Sequence, residues 1–226
     1  MLIEGIVKSS LIDYPKIASC VLFTSRCNFN CFYCHNRDLI QGSGSLIDTD
    51  EIFSFLKKRQ GLLEGVVITG GEPTLQKDLI PFINKIKELG YKVKLDTNGS
   101  NPEIIETILE KGLCDYFAVD YKAPLSKYYE FCSFTGTKVL ETIHILLNNK
   151  VEFEVRTTVF PQLSLEDLIE MVKELPLLPK YVLNRYRKPE KFLEKDVGKI
   201  NAQPYTLVEL QEFANKLKFY QPNIKA

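Results

Sequence analysis

Six apolar runs rich in β-branched and aromatic residues punctuate the chain, at 18–24, 66–69, 92–96, 116–120, 151–159 and 181–186. Runs this short, bounded by turn residues, predict strands. Between them, apolar residues recur at helical spacing over 50–58, 79–89, 103–111, 138–148, 165–175 and 207–217. The punctuation agrees: Asp50 and Glu51 open the first of these helices, Gly90 stops the second, Pro102 opens the third and Gly112 follows it, and Glu166 and Asp167 lie in the first turn of the fifth. A β/α alternation repeated six times predicts parallel strands with right-handed helical crossovers, in a doubly wound open sheet or a full or partial (β/α) barrel. No internal repeat, low-complexity tract or linker divides the 226 residues, so one α/β domain is expected.

Composition narrows the class. At 45% apolar and 26% charged residues the chain is an ordinary globular protein. Lysine and arginine balance aspartate and glutamate to a formal net charge of zero, which argues against a protein that holds nucleic acid by its phosphates. No run reaches a membrane span, and residues 1–15 lack the basic start and apolar core of a signal peptide, so a cytoplasmic protein with no membrane partner is expected.

Six cysteines in such a chain read as metal chemistry rather than disulfides, because Cys27, Cys31 and Cys34 fall within eight residues as C-x3-C-x2-C. Three thiolates suit iron–sulfur clusters or zinc. A structural zinc site closes four positions and an electron-transfer cluster usually takes four cysteines, so three leave a position for an exchangeable ligand. Cys20, Cys114 and Cys132 lie far apart among apolar neighbours and read as small buried hydrophobes, with no second cluster.

The other unusual residues fall at strand ends. Gly70, Gly71, Glu72 and Pro73 follow the second predicted strand, Asp96 and Thr97 the third, Asp120 and Lys122 the fourth, and Arg156 lies near the end of the fifth. Parallel sheets gather their ligands beyond those ends, so these residues predict one site. The glycine pair lets backbone approach a ligand, or is a plain turn. Asp96 and Asp120 offer hard oxygen ligands, although Asp96 also suits a turn before Asn98 and Gly99. Lys122 could meet an anionic group or remain solvated. His35 adjoins Cys34 and would point away from a metal held by it, so a structural hydrogen-bonding role is expected, and a structural role for His144 in mid-helix.

With CNFNCFYCHN (27–36), GVVITGGEPTLQKDL (65–79), KLDTNGSNP (94–102), DYFAVDYKAPL (115–125) and FEVRTTV (153–159) in view, the chain resembles radical S-adenosylmethionine (SAM) enzymes. Within them it is similar to glycyl-radical-enzyme activases, above all the anaerobic ribonucleoside-triphosphate reductase activating proteins, with similarity to pyruvate formate-lyase activating enzyme. The resemblance implies a partial (β/α)6 TIM-type barrel over 1–187, with 188–226 as a C-terminal extension packed on or beside it. It implies a [4Fe–4S] cluster on Cys27, Cys31 and Cys34, whose fourth iron is chelated by SAM. Tyr33 would lie near the adenine, Gly70, Gly71 and Glu72 would meet the methionine amino group, and Lys122 and Arg156 would lie near SAM. Asp96, Thr97, Asp120 and the Ala118 carbonyl would hold a monovalent cation beside the SAM carboxylate. On the last strand, Tyr186 or Asn184 stands where a relative has an adenine-side histidine, and Lys16 stands where a glycine is usual. The implied partners are a glycyl radical enzyme, anaerobic ribonucleotide reductase, and flavodoxin or ferredoxin as electron donor. An enzyme of this kind acting on a small molecule or another peptide, and a non-catalytic iron–sulfur or zinc module, are the alternatives.

Overall fold

The computed structural model describes all 226 residues. The chain opens with β1 (Ile3–Ser10) and β2 (Ser19–Thr24), then α1 (Arg37–Gln41), α2 (Thr49–Arg59), β3 (Gly65–Gly70), α3 (Leu79–Glu88), β4 (Lys92–Thr97), α4 (Pro102–Glu110) and β5 (Tyr116–Asp120). It continues through α5 (Tyr128–Cys132), α6 (Thr137–Asn148), β6 (Phe153–Val159), α7 (Leu165–Glu174), β7 (Tyr181–Arg185), α8 (Val197–Ile200), α9 (Leu207–Leu217) and β8 (Ile224–Lys225). All six predicted strands form, as β2 to β7, and all six predicted helices form within a residue or two of their expected bounds. They make one sheet in sequential order, parallel from β2 to β8, with β1 antiparallel to β2 along one edge. β1 and β8 are not paired to each other, so the barrel is partial.

Two strands lie outside the six. β1 was not expected because its sequence, IEGIVKSS, mixes charge, glycine and serine, and an edge strand buries only part of its length. β8 is two residues long, too short for any period to register. It pairs with the start of β7, and Gln221 just before it is 1% exposed, its side chain accepting from the Leu178 N–H and donating to the Pro176 carbonyl. The last forty residues therefore reach the sheet itself.

Side chains alternate across the strands. Leu22, Ile68, Leu95, Phe117, Val119, Val155 and Leu183 join the helices in the main core, whereas Val21, Val67, Tyr14 and Tyr116 form a separate small cluster. At the alternate positions of β4 to β6, Lys94, Asp96, Asp120 and Arg156 form an ion-pair network and Glu154 pairs separately with Lys180, none of them joining either apolar cluster. One layer of the sheet is thus oily and the other increasingly charged toward β4–β6. Lys16, in the turn before β2, has φ +64°, the left-handed conformation that favours the glycine usual there.

Ile68 is fully buried, in register with Leu22 on β2 and Leu95 on β4. Ile68→Ala is expected to cost about 2–5 kcal/mol, read as a lowered urea midpoint with an unchanged slope.

Candidate active site

The cysteine loop leaves the C-terminal end of β2 and is pinned by backbone. Arg26 N–H donates to the Leu39 carbonyl (2.6 Å), Asn30 N–H to the Cys132 carbonyl (2.9 Å) and Cys34 N–H to the Cys31 carbonyl (3.2 Å). Arg37 adds guanidinium bonds to the Cys31 carbonyl (3.1 Å) and Asn30 Oδ1 (2.7 Å). Short helix α1 thereby folds back on the loop that precedes it. Arg26 takes φ +71°, a conformation costly for a side-chain-bearing residue.

That turn meets the glycine pair. Gly71 N–H donates to the Thr24 carbonyl (2.8 Å) and Glu72 N–H to the Arg26 carbonyl (2.8 Å). A Cβ on Gly71 would stand 2.0 Å from the Arg26 oxygen, and one on Gly70, at φ +116°, 2.3 Å from the Thr24 nitrogen. The close approach these glycines permit is first to the chain's own backbone, which joins the end of β3 to the cysteine loop.

Glu72 turns away from the cavity. Its buried carboxylate accepts from Thr74 N–H (3.1 Å) and Oγ1 (2.6 Å), Thr97 Oγ1 (2.7 Å) and Asn98 N–H (2.6 Å). Burial raises its pKa, and these donors oppose the rise. The side chain is a clamp between the ends of β3 and β4. Asn98, set by the clamp, donates to Asn28 Oδ1 (2.9 Å) and lies 3.9 Å from Cys27 Sγ, which also receives the Phe29 N–H (3.4 Å).

A cavity of about 270 Å³ lies over these strand ends, lined by Cys27, Cys31, Tyr33 and Cys34, by Gly70 and Gly71, by Asp96 and Thr97, by Asp120 and Lys122, and by Arg156. Of the residues expected to hold the cluster, the methionine amino group or the cation, Glu72 and Ala118 lack a place on the wall. His35, Asn36, Ile40, Thr69, Asn98 and Thr158 line it too. Tyr186 and Asn184 do not: the Tyr186 hydroxyl is buried against the Ile200 carbonyl (3.4 Å), and Asn184 faces a second cavity near Lys94, Glu154 and Lys180. The last strand thus contributes neither side chain to the main cavity. His144 lies on the exposed side of α6.

The donors fit a thiolate-bound cluster. Burial and the nearby Glu72 carboxylate push the Cys27 thiol up to about 12; burial raises Cys34; and a hydrogen bond with Cys132, together with burial, raises Cys31. Such thiols ionise readily only beside a strong positive charge, which iron supplies. Cys132, Cys20 and Cys114 are buried as expected, but Cys132 sits against Cys31, a contact that a separation of a hundred residues hid. Tyr33 lines the cavity with its ring stacked on Phe160 at 4.5 Å, and its hydroxyl is buried with no hydrogen-bond partner within the chain.

Opposite the cysteines lies an ion-pair chain. Arg156 Nη1 donates to Asp96 Oδ2 (3.1 Å) and its Nε to Asp120 Oδ1 (3.0 Å); Lys94 donates to Asp96 Oδ1 (2.5 Å) and Lys122 to Asp120 Oδ2 (3.2 Å). Burial alone would raise the Asp120 pKa, but the Arg156 and Lys122 charges win and hold it at about 2. Thr97 Oγ1 is occupied as well, donating to Glu72 and accepting from Gly99 N–H (3.0 Å). These groups do not fit the expected monovalent cation site, because every carboxylate oxygen already faces a cationic nitrogen. Lys94, 2% exposed, was missed; its alternation with Asp96 in KVKLD was the available signal.

Two outcomes test this geometry. Gly71→Ala forces the Arg26 backbone to move, and is expected to lower the iron bound after reconstitution and the urea midpoint together. Asp120 has its pKa lowered by folding, so its contribution is full above the unfolded value and lost as pH falls toward about 2. The stability gap between wild type and Asp120→Asn, followed by urea unfolding, should shrink as pH drops below about 4.

The radical SAM superfamily pattern matches residues 21–175. A Methanocaldococcus jannaschii protein provisionally named a glycyl-radical enzyme activating enzyme is 36% identical over 234 residues, spanning 99% of this chain and 94% of its own length. Among solved structures, Streptococcus suis SuiB bound to S-adenosylmethionine superposes with TM-score 0.66 at 15% identity over 86% of this chain, which spans 45% of the SuiB chain. A domain of pyruvate-formate lyase-activating enzyme from Bacteroides vulgatus superposes with TM-score 0.56 at 18% identity, covering 72% of this chain and 99% of that one. At such identity the two structures speak for the fold, while the superfamily match and the full-length relative speak for descent. The superfamily match over residues 21–175, joined by a relative similar along its whole length, settles the family: the chain belongs to the radical SAM superfamily of enzymes.

Proposed function

We propose that the protein is a radical SAM activase that forms a glycyl radical on a partner enzyme, an anaerobic ribonucleoside-triphosphate reductase, with flavodoxin or ferredoxin as electron donor. The observation that carries this reading is one cavity walled by three thiols on one side and a cationic chain on the other. The full-length relative named for glycyl-radical activation points the same way. Six free cysteines suit a reducing cytoplasm, and no helix is long and apolar enough to cross a membrane.

Cys27, Cys31 and Cys34 would hold a [4Fe–4S] cluster. Three cysteines leave one position of such a cluster for an exchangeable ligand, whereas a structural zinc site closes all four. When bound, cluster and SAM supply the radical chemistry, reductive cleavage of the sulfonium and hydrogen abstraction from a glycine Cα of the partner. The chain's own work is placement. Lys122 and Arg156 would present positive charge to the SAM carboxylate, and Tyr33, its ring backed by Phe160, would line the adenine end. Gly70 and Gly71 offer bare backbone to the amino group. The buried rings of Phe29, Phe32, Phe131 and Phe160 keep water from the thiol side. No acid or base of the protein is needed.

The test is anaerobic. Reconstituted protein, SAM, a reductant and the partner reductase should give a glycyl-radical signal in electron paramagnetic resonance, and Cys31→Ala should abolish both bound iron and SAM cleavage. SAM cleavage without a glycyl radical on the reductase would overturn the activase assignment; iron retained by Cys31→Ala would overturn the cluster ligands.

A further inference from the structure

The carboxylate pair at the ends of β4 and β5 is a metal-ligand arrangement that the chain has filled from its own side chains. Asp96 and Asp120 offer four oxygens, and each accepts from a different basic nitrogen: Lys94 Nζ at 2.5 Å, Arg156 Nη1 at 3.1 Å, Arg156 Nε at 3.0 Å and Lys122 Nζ at 3.2 Å. Lys94 is the decisive member. It enters from two residues back on the same side of β4, is 2% exposed, and takes the Asp96 oxygen that Arg156 leaves free. Three cations face two anions, so one positive charge remains. That is the charge the cluster would carry if Lys94 were neutral and a monovalent metal ion sat in its place.

We propose that the Lys94 ammonium serves as a built-in counter-cation at Asp96, so that this chain binds the carboxylate of its cofactor with no metal cation at that position. The inference rests on the reading that SAM occupies the main cavity. Three further features support it. Thr97 Oγ1, the remaining oxygen of the expected cation site, is committed to Glu72 and Gly99. The ammonium is 2% exposed and tied to Asp96 at short range, so a potassium or sodium ion would have to break that ion pair to take its place. Lys94 borders the second cavity, beside the Glu154 and Lys180 pair, and not the main one, whereas Lys122 lines the main cavity and Arg156 lines both. Lys94 is a positioning residue: it acts on the ligand through Asp96 and Arg156.

The experiment uses the full, cluster-reconstituted chain under anaerobic conditions. Thallium(I), standing in for potassium, is titrated and followed by thallium NMR without SAM, and SAM affinity is measured by calorimetry in potassium, sodium or tetramethylammonium chloride at equal ionic strength. Wild type is expected to show no saturable thallium site and one SAM affinity in all three salts. Lys94→Ala, which removes the ammonium and opens room, should gain a saturable thallium site, and its SAM affinity should fall about tenfold when tetramethylammonium replaces potassium. Lys94→Arg, which keeps the charge, should behave as wild type. A saturable thallium site in wild type overturns the proposal whether or not the variants fold, as does a Lys94→Ala protein that gains neither cation binding nor cation dependence. If wild type takes up no SAM in any salt, the SAM reading fails, while the thallium titration still decides whether Lys94 has displaced the metal.

Discussion

The guanidinium of Arg156 spans Asp96 and Asp120, so three adjacent parallel strands are tied together at the one end where ligands collect. Few arrangements are as unforgiving. Partly buried charges lose part of their hydration and recover it through well-placed partners, most fully at Asp96 and least at Asp120, whose side chain is about a third exposed. Here the partners come from consecutive strands at matched register, Asp120 directly beside Arg156 and Asp96 beside Ala118. A slip of one residue in β5 or β6 would turn the pairs toward the helices and expose the oily layer. The site and the register of the sheet therefore enforce each other.

The opposite wall depends on contacts of backbone rather than charge. Arg26 accepts a left-handed turn, Gly70 and Gly71 give up their side chains, and the resulting contact fastens the cysteine loop to β3. Glu72 then fastens β3 to β4 through Thr97 and Asn98. In sequence the GGE run looks like a ligand-binding element; in space much of its chemistry is spent on the frame that holds Cys27 near Asn98 and sets the glycine backbone on the cavity wall. Strain at Arg26 is tolerated because the surrounding hydrogen bonds over-determine it.

These two walls divide the labour. One carries thiols raised in pKa by burial, whose ionisation needs a metal to offset it; the other carries a surplus positive charge that suits an anionic group. Arg156, Lys122 and Tyr33 line the same cavity, so on the proposed reading a molecule with a carboxylate at one end and an aromatic base at the other would bridge the two walls. The scarcity of histidine, two in the chain, fits a reaction in which no protein group shuttles protons.

The sequence by itself determined the repeating β/α order, the six parallel strands and the strand-end residues, because hydrophobic period and turn residues are local properties and parallel topology follows from them. It also determined the three-cysteine spacing, whose meaning is set by ligand number. It did not determine β1 or β8, since an edge strand half in water and a two-residue strand leave no periodic trace. Nor did it reveal that Tyr186 and Asn184 miss the cavity, that Cys132 touches Cys31, that Glu72 faces the frame, or that Lys94 answers Asp96. Those are pairings between distant segments, fixed by sheet register and by the need of each buried charge and polar atom for a partner, and only the folded chain decides which partner it finds.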